Sequence, residues 1–310
     1  MDRRPVHPSW PFLRREAGRL GVSPRALRGR AFRTVLPGVI VSTLVPDTVV
    51  VRSRAALLLA PEGGAISHWT AARLWGGRVP DNERIHLAFM RDVRFRARGV
   101  MTHRFRHRLD IRRRHGLPVT SPGQTFCHLA RFLGLVDLVA LGDSLVRRGR
   151  ITPEELVAYA EDWVGQCRSE ALEGARLVRD GVDSSPETAL RLLMVLAGLP
   201  EPGVNLRLRR EDGSVRFRIE LAYEDALLAI EYDGRWHEAE DQQEHDRERR
   251  QQLEAIEGWR FVVVTGDELY GAPEELLRRL WDELRSRGVV VPGQLSEAWR
   301  GHFRVVQVAA

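Results

Sequence analysis

Lysine is absent from the 310 residues, and all 48 basic side chains are arginine. A coding bias explains a complete absence better than selection for phosphate contacts does, so the number of arginines is not by itself a sign of nucleic-acid binding. Cysteine is almost missing too. Cys127 and Cys167 stand alone, at a spacing that matches no zinc or redox motif, and read as free thiols of a reducing compartment. No apolar run approaches the ~18 residues of a membrane span. Met1 to Arg15 is basic without an apolar core, unlike a secretory signal. These absences make a cytoplasmic protein with no membrane partner the expectation.

What is present is unevenly placed. Residues 1–120 carry 24 arginines against 8 acids, a net of +16, and residues 121–310 carry the other 24 against 34 acids, a net of −10. Two halves of opposite sign suggest two jobs. The basic half suits a polyanion, and the acidic half has the carboxylates for a metal.

Local signals divide the chain further. Phe12 to Ala17 reads as a short helix. Ser23 then caps a second helix with Pro24 at its first position, and Phe32 to Ser42 reads as a hairpin about Pro37-Gly38. Helix, turn, helix and hairpin is the order of a small winged helix, or equally of a ligand-free α+β cap, over residues 1–50. Residues 51–118 read as a basic α+β unit. Helices are expected at Arg54–Leu59 and His68–Leu74, and strands at Arg84–Ala88 and over the alternating Arg94, Arg96 and Arg98. The basic run His103–Arg114 either tracks phosphates or guards a solvated sheet edge. Residues 119–183 read as a helical bridging region, with Thr152-Pro153-Glu154-Glu155 opening one helix and Trp163, Cys167 and Leu172 as core. Residues 184–290 give the order helix, three strands, helix (Gln243–Glu257), strand, helix, and 291–310 is an extension. The fold class expected is a multidomain α+β protein: a winged-helix-like N-terminal region, a helical middle and a C-terminal α/β domain with a mixed sheet.

One constellation carries chemistry. Glu231 and Asp233 lie two apart on the apolar strand Leu227–Asp233, so their carboxylates share a face. Acids on a central strand are costly unless paired or metal-bound. Glu220 ends the preceding strand, and Glu187 lies in the first turn of the upstream helix, as ligand or as cap. Three or four such carboxylates suit a hard divalent cation, Mg²⁺ or possible Mn²⁺. His237, after Gly234, could relay a proton or touch a phosphate. On the following helix His245, Asp246, Arg249 and Arg250 share roughly one side, and an arginine there, Arg250 foremost, could neutralise a transferring phosphate.

These residues resemble a known family. Glu231-Tyr232-Asp233-Gly234, His237, Asp246, Arg249 or Arg250, Leu253, Gly258-Trp259 and Thr265 resemble the DUF559 family, which is similar to the very-short-patch-repair endonucleases of the PD-(D/E)XK superfamily. Ser185, Glu187 and Leu190-Arg191 resemble its opening helix. The resemblance spans about 184–287 and implies a restriction-endonuclease-like domain. It also implies a metal-dependent endodeoxyribonuclease site of Glu220, Glu231, Asp233, His237 and Arg250, with Glu187 as a further metal ligand. Glu220 stands where that family usually has aspartate, which moves the carboxylate outward by about one bond, and Asp233 stands at the superfamily's acid-or-lysine position.

Upstream, Gly21-Val22-Ser23, Leu36-Pro37-Gly38-Val39, Ile66-Ser67-His68 with Ala71-Ala72, and Val119-Thr120-Ser121-Pro122 resemble AbiEi-type antitoxin-like domains. Gln124-Thr125 follows where Arg-Thr is common. This likeness implies recognition of double-stranded DNA by a winged helix. Three functions compete on these readings: a DNA endonuclease; a non-catalytic DNA-binding regulator, with a homodimer or a cognate toxin-like partner; and an interaction module that binds neither DNA nor metal.

Overall fold

The computed structural model describes residues 9–234, 255 and 258–303. The chain divides into two compact units, one of residues 1–133 and 148–176, the other of 134–147 and 177–310. The architecture is multidomain α+β, with a helical middle and a mixed-sheet C-terminal unit. Among the described residues no helix is long and apolar enough to cross a membrane.

The first unit opens with strand β1 (Phe12–Leu13), helix α1 (Pro24–Arg28) and strands β2 (Phe32–Leu36) and β3 (Val39–Ser42), in an antiparallel sheet ordered β1-β3-β2. Ser23 caps α1, its Oγ accepting from the Ala26 N–H at 3.2 Å, and Gly38 turns the hairpin at φ +83°, a region that costs glycine little. The helix expected over Phe12–Ala17 does not form. Phe12 and Leu13 pair with Ile40 and Val39, and Arg14–Glu16 make a single 3-10 turn. The reason is long-range: Phe12 meets Phe32 edge to face at 5.8 Å and buries with Ala17, Val22 and Ile40. That burial outweighs the weak helical preference of so short a segment.

Helix α2 (Val49–Leu59), strand β4 (Ala65–Ile66), helix α3 (His68–Trp75) and strands β5 (Ile85–Phe89), β6 (Val100–Arg104), β7 (Ile111–Arg114) and β8 (Leu117–Thr120) follow. They build a five-stranded sheet ordered β6-β5-β4-β8-β7. Its neighbours β5 and β6 are parallel, so the chain must return along the sheet between them. Arg94, Arg96 and Arg98 lie in that return and not in a strand. The basic run from His103 supplies both edges, β6 and β7, and Arg112 and Arg113 on β7 are exposed.

The chain continues through α4 (Pro122–Leu129), leaves for α5 (Leu135–Arg147) of the second unit, and returns for α6 (Pro153–Glu161) and α7 (Arg168–Leu177). Gly123 lets α4 approach α6, since a β-carbon there would lie 2.6 Å from the Tyr159 ring. Thr152 and Glu155 form the capping box their spacing predicts, at 3.2 and 2.9 Å. Gln124 is buried, its Oε1 accepting from the Asp110 N–H at 2.8 Å and its amide donating to the Arg108 carbonyl at 3.0 Å. Trp163 is buried as expected, while Cys167 and Leu172 are only half-buried. Burial pushes the Cys127 thiol up to about 12, which keeps it an unreactive thiol at neutral pH.

The second unit adds α8 (Ser185–Leu196), β9 (Gly203–Arg209), β10 (Val215–Tyr223), β11 (Leu228–Asp233), β12 (Arg260–Thr265) and α9 (Pro273–Ser286) to α5. The sheet order is β12-β11-β10-β9. The strands β9, β10 and β11 form an antiparallel meander, and β12 lies parallel to β11. The helix expected over Gln243–Glu257 lies outside the described residues. Phe217, Ile219, Ala229, Trp259 and Phe261 fill part of the core.

A buried ion pair crosses this core. Arg191 on α8 is 0 % exposed and donates to Asp143 of α5 at 3.2 Å, to Glu201 at 3.0 Å and to the Leu177 carbonyl at 2.9 Å. Asp143 also accepts from the Arg179 N–H at 2.7 Å and the Thr188 hydroxyl at 2.8 Å. Burial raises its carboxyl pKa, opposed by Arg191. Removing Asp143 leaves the buried guanidinium with the more exposed Glu201 as its carboxylate partner, and breaking a buried pair is strongly destabilising. Asp143→Ala is expected to destabilise the second unit by about 3–5 kcal/mol, read as a lowered urea midpoint. An unchanged midpoint would show that the pair is dispensable.

Candidate functional site

The predicted carboxylates sit on the two middle strands of the second unit. Leu221 and Ile230 form the pair at the end of the β10–β11 ladder, and Glu220 and Glu231 are the next residues beyond it on the two strands. Glu231 and Asp233, two apart on β11, share a face. All three are half-buried. Glu220 Oε2 accepts from the Tyr232 N–H at 2.8 Å, which anchors it across the strand pair. Asp233 lies beside Thr265 of β12. Thr265 is itself held by Glu268, through N–H and hydroxyl at 2.8 and 3.0 Å, and Glu268 pairs with Arg279 at 3.0 Å.

Glu187 is 5 % exposed. Its N–H donates to the Ser184 hydroxyl at 3.2 Å, and its carboxylate accepts from the Asp183 N–H at 2.9 Å. It therefore serves the start of α8 as a capping residue. His237, His245, Asp246, Arg249 and Arg250 lie outside the described residues.

A second constellation, in the first unit, went unread in the sequence. His68 heads α3, His86 is on β5, His103 on β6, His107 follows β6, and His128 is on α4. His86 Nδ1 lies 2.9 Å from His103 Nε2. The His103 ring stacks on His68 with centroids 3.7 Å apart, and His68 stacks in turn on His128 at 4.9 Å. His128 Nε2 is 3.4 Å from His107 Nε2, while its buried Nδ1 finds no hydrogen-bond partner among the described residues. Phe105 stacks on His128 at 4.2 Å, and Trp163 meets His107 edge-on at 4.7 Å. A cleft of about 730 Å³ opens on His68, His103, His107 and His128, with Arg104, Arg106 and Arg131 also in its wall.

Asn82 fixes part of the protonation pattern. Its Oδ1 accepts from the Arg84 N–H at 3.1 Å, so the atom 3.1 Å from His86 Nε2 is an acceptor. His86 must then carry its hydrogen on Nε2, and His103 donates to the bare His86 Nδ1. Among the described residues, the group whose ligand atoms all lie within 4.8 Å of one another is His68, His86 and His103. This triad can chelate a divalent metal. A trace of it was legible: from His103 to Arg108, imidazole or phenyl rings alternate with arginine, which puts rings on one side and charge on the other. His68 and His86 had no such local signal, because the fold alone brings them in.

Comparison with known families reaches the second unit only. The restriction-endonuclease-like family REase_MTES_1575 matches residues 194–284, a distant homology over part of the C-terminal region. The matched stretch contains Glu220, Glu231 and Asp233 but not the histidines. No curated protein matches the chain.

Burial makes the histidines poor bases. It lowers His86 and His103 to about 4 and His128 to about 3 from the ordinary 6.5. Neighbouring imidazoles add to this at His86 and His128, as do Arg84 and Arg73 at His86. The folded protein keeps these rings neutral while the unfolded chain protonates below pH ~6.5. Stability is therefore complete above pH ~6.5 and falls toward pH 4, by up to about 1.4 kcal/mol per pH unit for each histidine. In the presence of chelator, the urea midpoint of the first unit should drop between pH 7 and 5, and His103→Gln should flatten the slope. A midpoint constant over that range would contradict the assigned burial.

Proposed function

We propose that the second unit is a metal-dependent endonuclease domain that hydrolyses phosphodiester bonds of double-stranded DNA, the DUF559 type that Glu231-Tyr232-Asp233-Gly234 resembles. The observation that supports this reading is that the restriction-endonuclease-like match, 194–284, contains Glu220, Glu231 and Asp233, which stand on the adjacent strands β10 and β11. Their donor set, all carboxylate oxygen and half-buried, fits a hard cation such as Mg²⁺ or Mn²⁺. When bound, such an ion supplies charge neutralisation at the phosphate and a water acidic enough to deprotonate near neutral pH.

The chain's own groups take separable parts. Tyr232 N–H orients Glu220. Glu231 and Asp233 stand at the end of β11, where the strand leaves the apolar core. Glu187, besides capping α8, would be the further ligand in this proposal. His237 is placed as the proton relay and Arg250 as the phosphate contact. The first unit, rich in arginine over residues 1–120, would hold the duplex backbone, and its affinity would fall steeply with salt.

A second reading, a non-catalytic DNA-binding regulator of antitoxin type with a degenerate nuclease domain, rests on Glu220. It is a glutamate at the usual aspartate place, and one of its oxygens is engaged by Tyr232.

Glu231→Gln separates the readings, because it keeps size and removes charge. Neutralising one of several clustered acids relieves repulsion, so the metal-free variant should melt at or above the wild-type temperature. Its stabilisation by Mn²⁺ should vanish, and Mn²⁺-dependent nicking of supercoiled plasmid should fall by at least about a hundredfold. Duplex binding without any nicking by the wild type favours the regulator. A full Mn²⁺ shift retained by Glu231→Gln overturns the carboxylate site.

A further inference from the structure

We propose that His68, His86 and His103 form a second metal site, for a zinc-class transition-metal ion, bordering the cleft of the first unit and independent of the carboxylate site. Their ligand atoms already lie within 4.8 Å of one another. The donors are all imidazole nitrogen, which suits zinc, cobalt, nickel or copper, whereas magnesium and manganese favour oxygen. Donor chemistry would thus partition two metals between the two units.

The surroundings are those of metal-ligating histidines, whose second nitrogen is characteristically held by a hydrogen bond. His86 Nε2 is held by Asn82 Oδ1 at 3.1 Å, and His68 Nδ1 lies 2.9 Å from the Ser67 hydroxyl. This leaves His86 Nδ1, His68 Nε2 and His103 Nε2 to face the ion. His68 is also held at φ +49°, a region unusual for a side chain other than glycine. Such local strain persists where surrounding structure imposes it, and it clusters at ligand sites.

Metal entry requires two adjustments. Tetrahedral bonds of ~2.0–2.1 Å set nitrogens about 3.3 Å apart, so the 2.9 Å His86–His103 contact must open by about 0.4 Å. His103 shifts its hydrogen from Nε2 to Nδ1, and the ring stays neutral. The His68 ring, now tilted only 20° from that of His103, must turn to aim its lone pair. His68 and His103 both line the cleft, so three protein ligands would leave the fourth position on that side, the arrangement of open zinc sites.

The test uses the full chain without an affinity tag, stripped by chelator and titrated with Co²⁺. One equivalent should give the ligand-field absorption of four-coordinate cobalt, displaced by Zn²⁺. His86→Gln should weaken binding by at least about a hundredfold, and Asn82→Ala, which touches no ion, by about 10–100-fold. Glu231→Gln should leave the cobalt spectrum unchanged, which separates this site from the nuclease reading. His107→Gln should also bind as wild type. If the wild type shows no such absorption, the site is wrong. If His86→Gln unfolds, Asn82→Ala and His107→Gln decide: unchanged binding in the first, or loss in the second, overturns the assignment.

Discussion

A guanidinium does not lose its proton inside a protein, so a fully buried arginine obliges the chain around it to supply opposite charge and acceptors. Arg191 sets that requirement for the second unit. Its two terminal nitrogens are served by Asp143 on α5, by Glu201 after α8 and by the carbonyl that ends α7, while its Nε finds no partner among the described residues. Asp143 reaches this unit on α5, more than forty positions upstream in sequence, a helix that also buries Leu138, Leu141 and Leu145. The same α8 carries Glu187 at its start, and the sheet it accompanies carries the carboxylates on β10 and β11. The polar pair thus fixes which helices accompany the strands, and the strands fix where the acids stand.

The two candidate sites differ in what their surroundings do to charge. On β10 and β11 the acids remain half-buried. In the first unit the rings are packed against each other and against Phe105 and Trp163, and burial keeps them uncharged. Carboxylate oxygens and imidazole nitrogens attract different ions.

Features encoded over a few residues were legible. The Thr152–Glu155 box, the Ser23 cap and the hairpin about Gly38 all form as the residues indicate. So does the face shared by Glu231 and Asp233, which needs only a two-residue period. Failures arise where a distant partner decides. Phe12 becomes a strand because Ile40 and Phe32 receive it. The arginines Arg94, Arg96 and Arg98 have the alternation of a strand but occupy a return between parallel neighbours. Asp143 within the apolar α5 carries no local mark of its partner 48 residues away, and His86 none of His103 across a parallel strand pair.

The parallel pairing of β11 with β12 also orders events in time. The meander from β9 to β11 is joined by short turns and can zip from its own hairpins. By contrast β12 pairs with β11 across a longer separation in sequence, and non-local pairing carries an entropic cost that slows it. Glu220 and Glu231 stand on the strands of the β10–β11 hairpin, whereas Asp233 gains its neighbour Thr265 with β12. A nascent chain would thus display its acidic face to the surrounding solution before the sheet around it is complete.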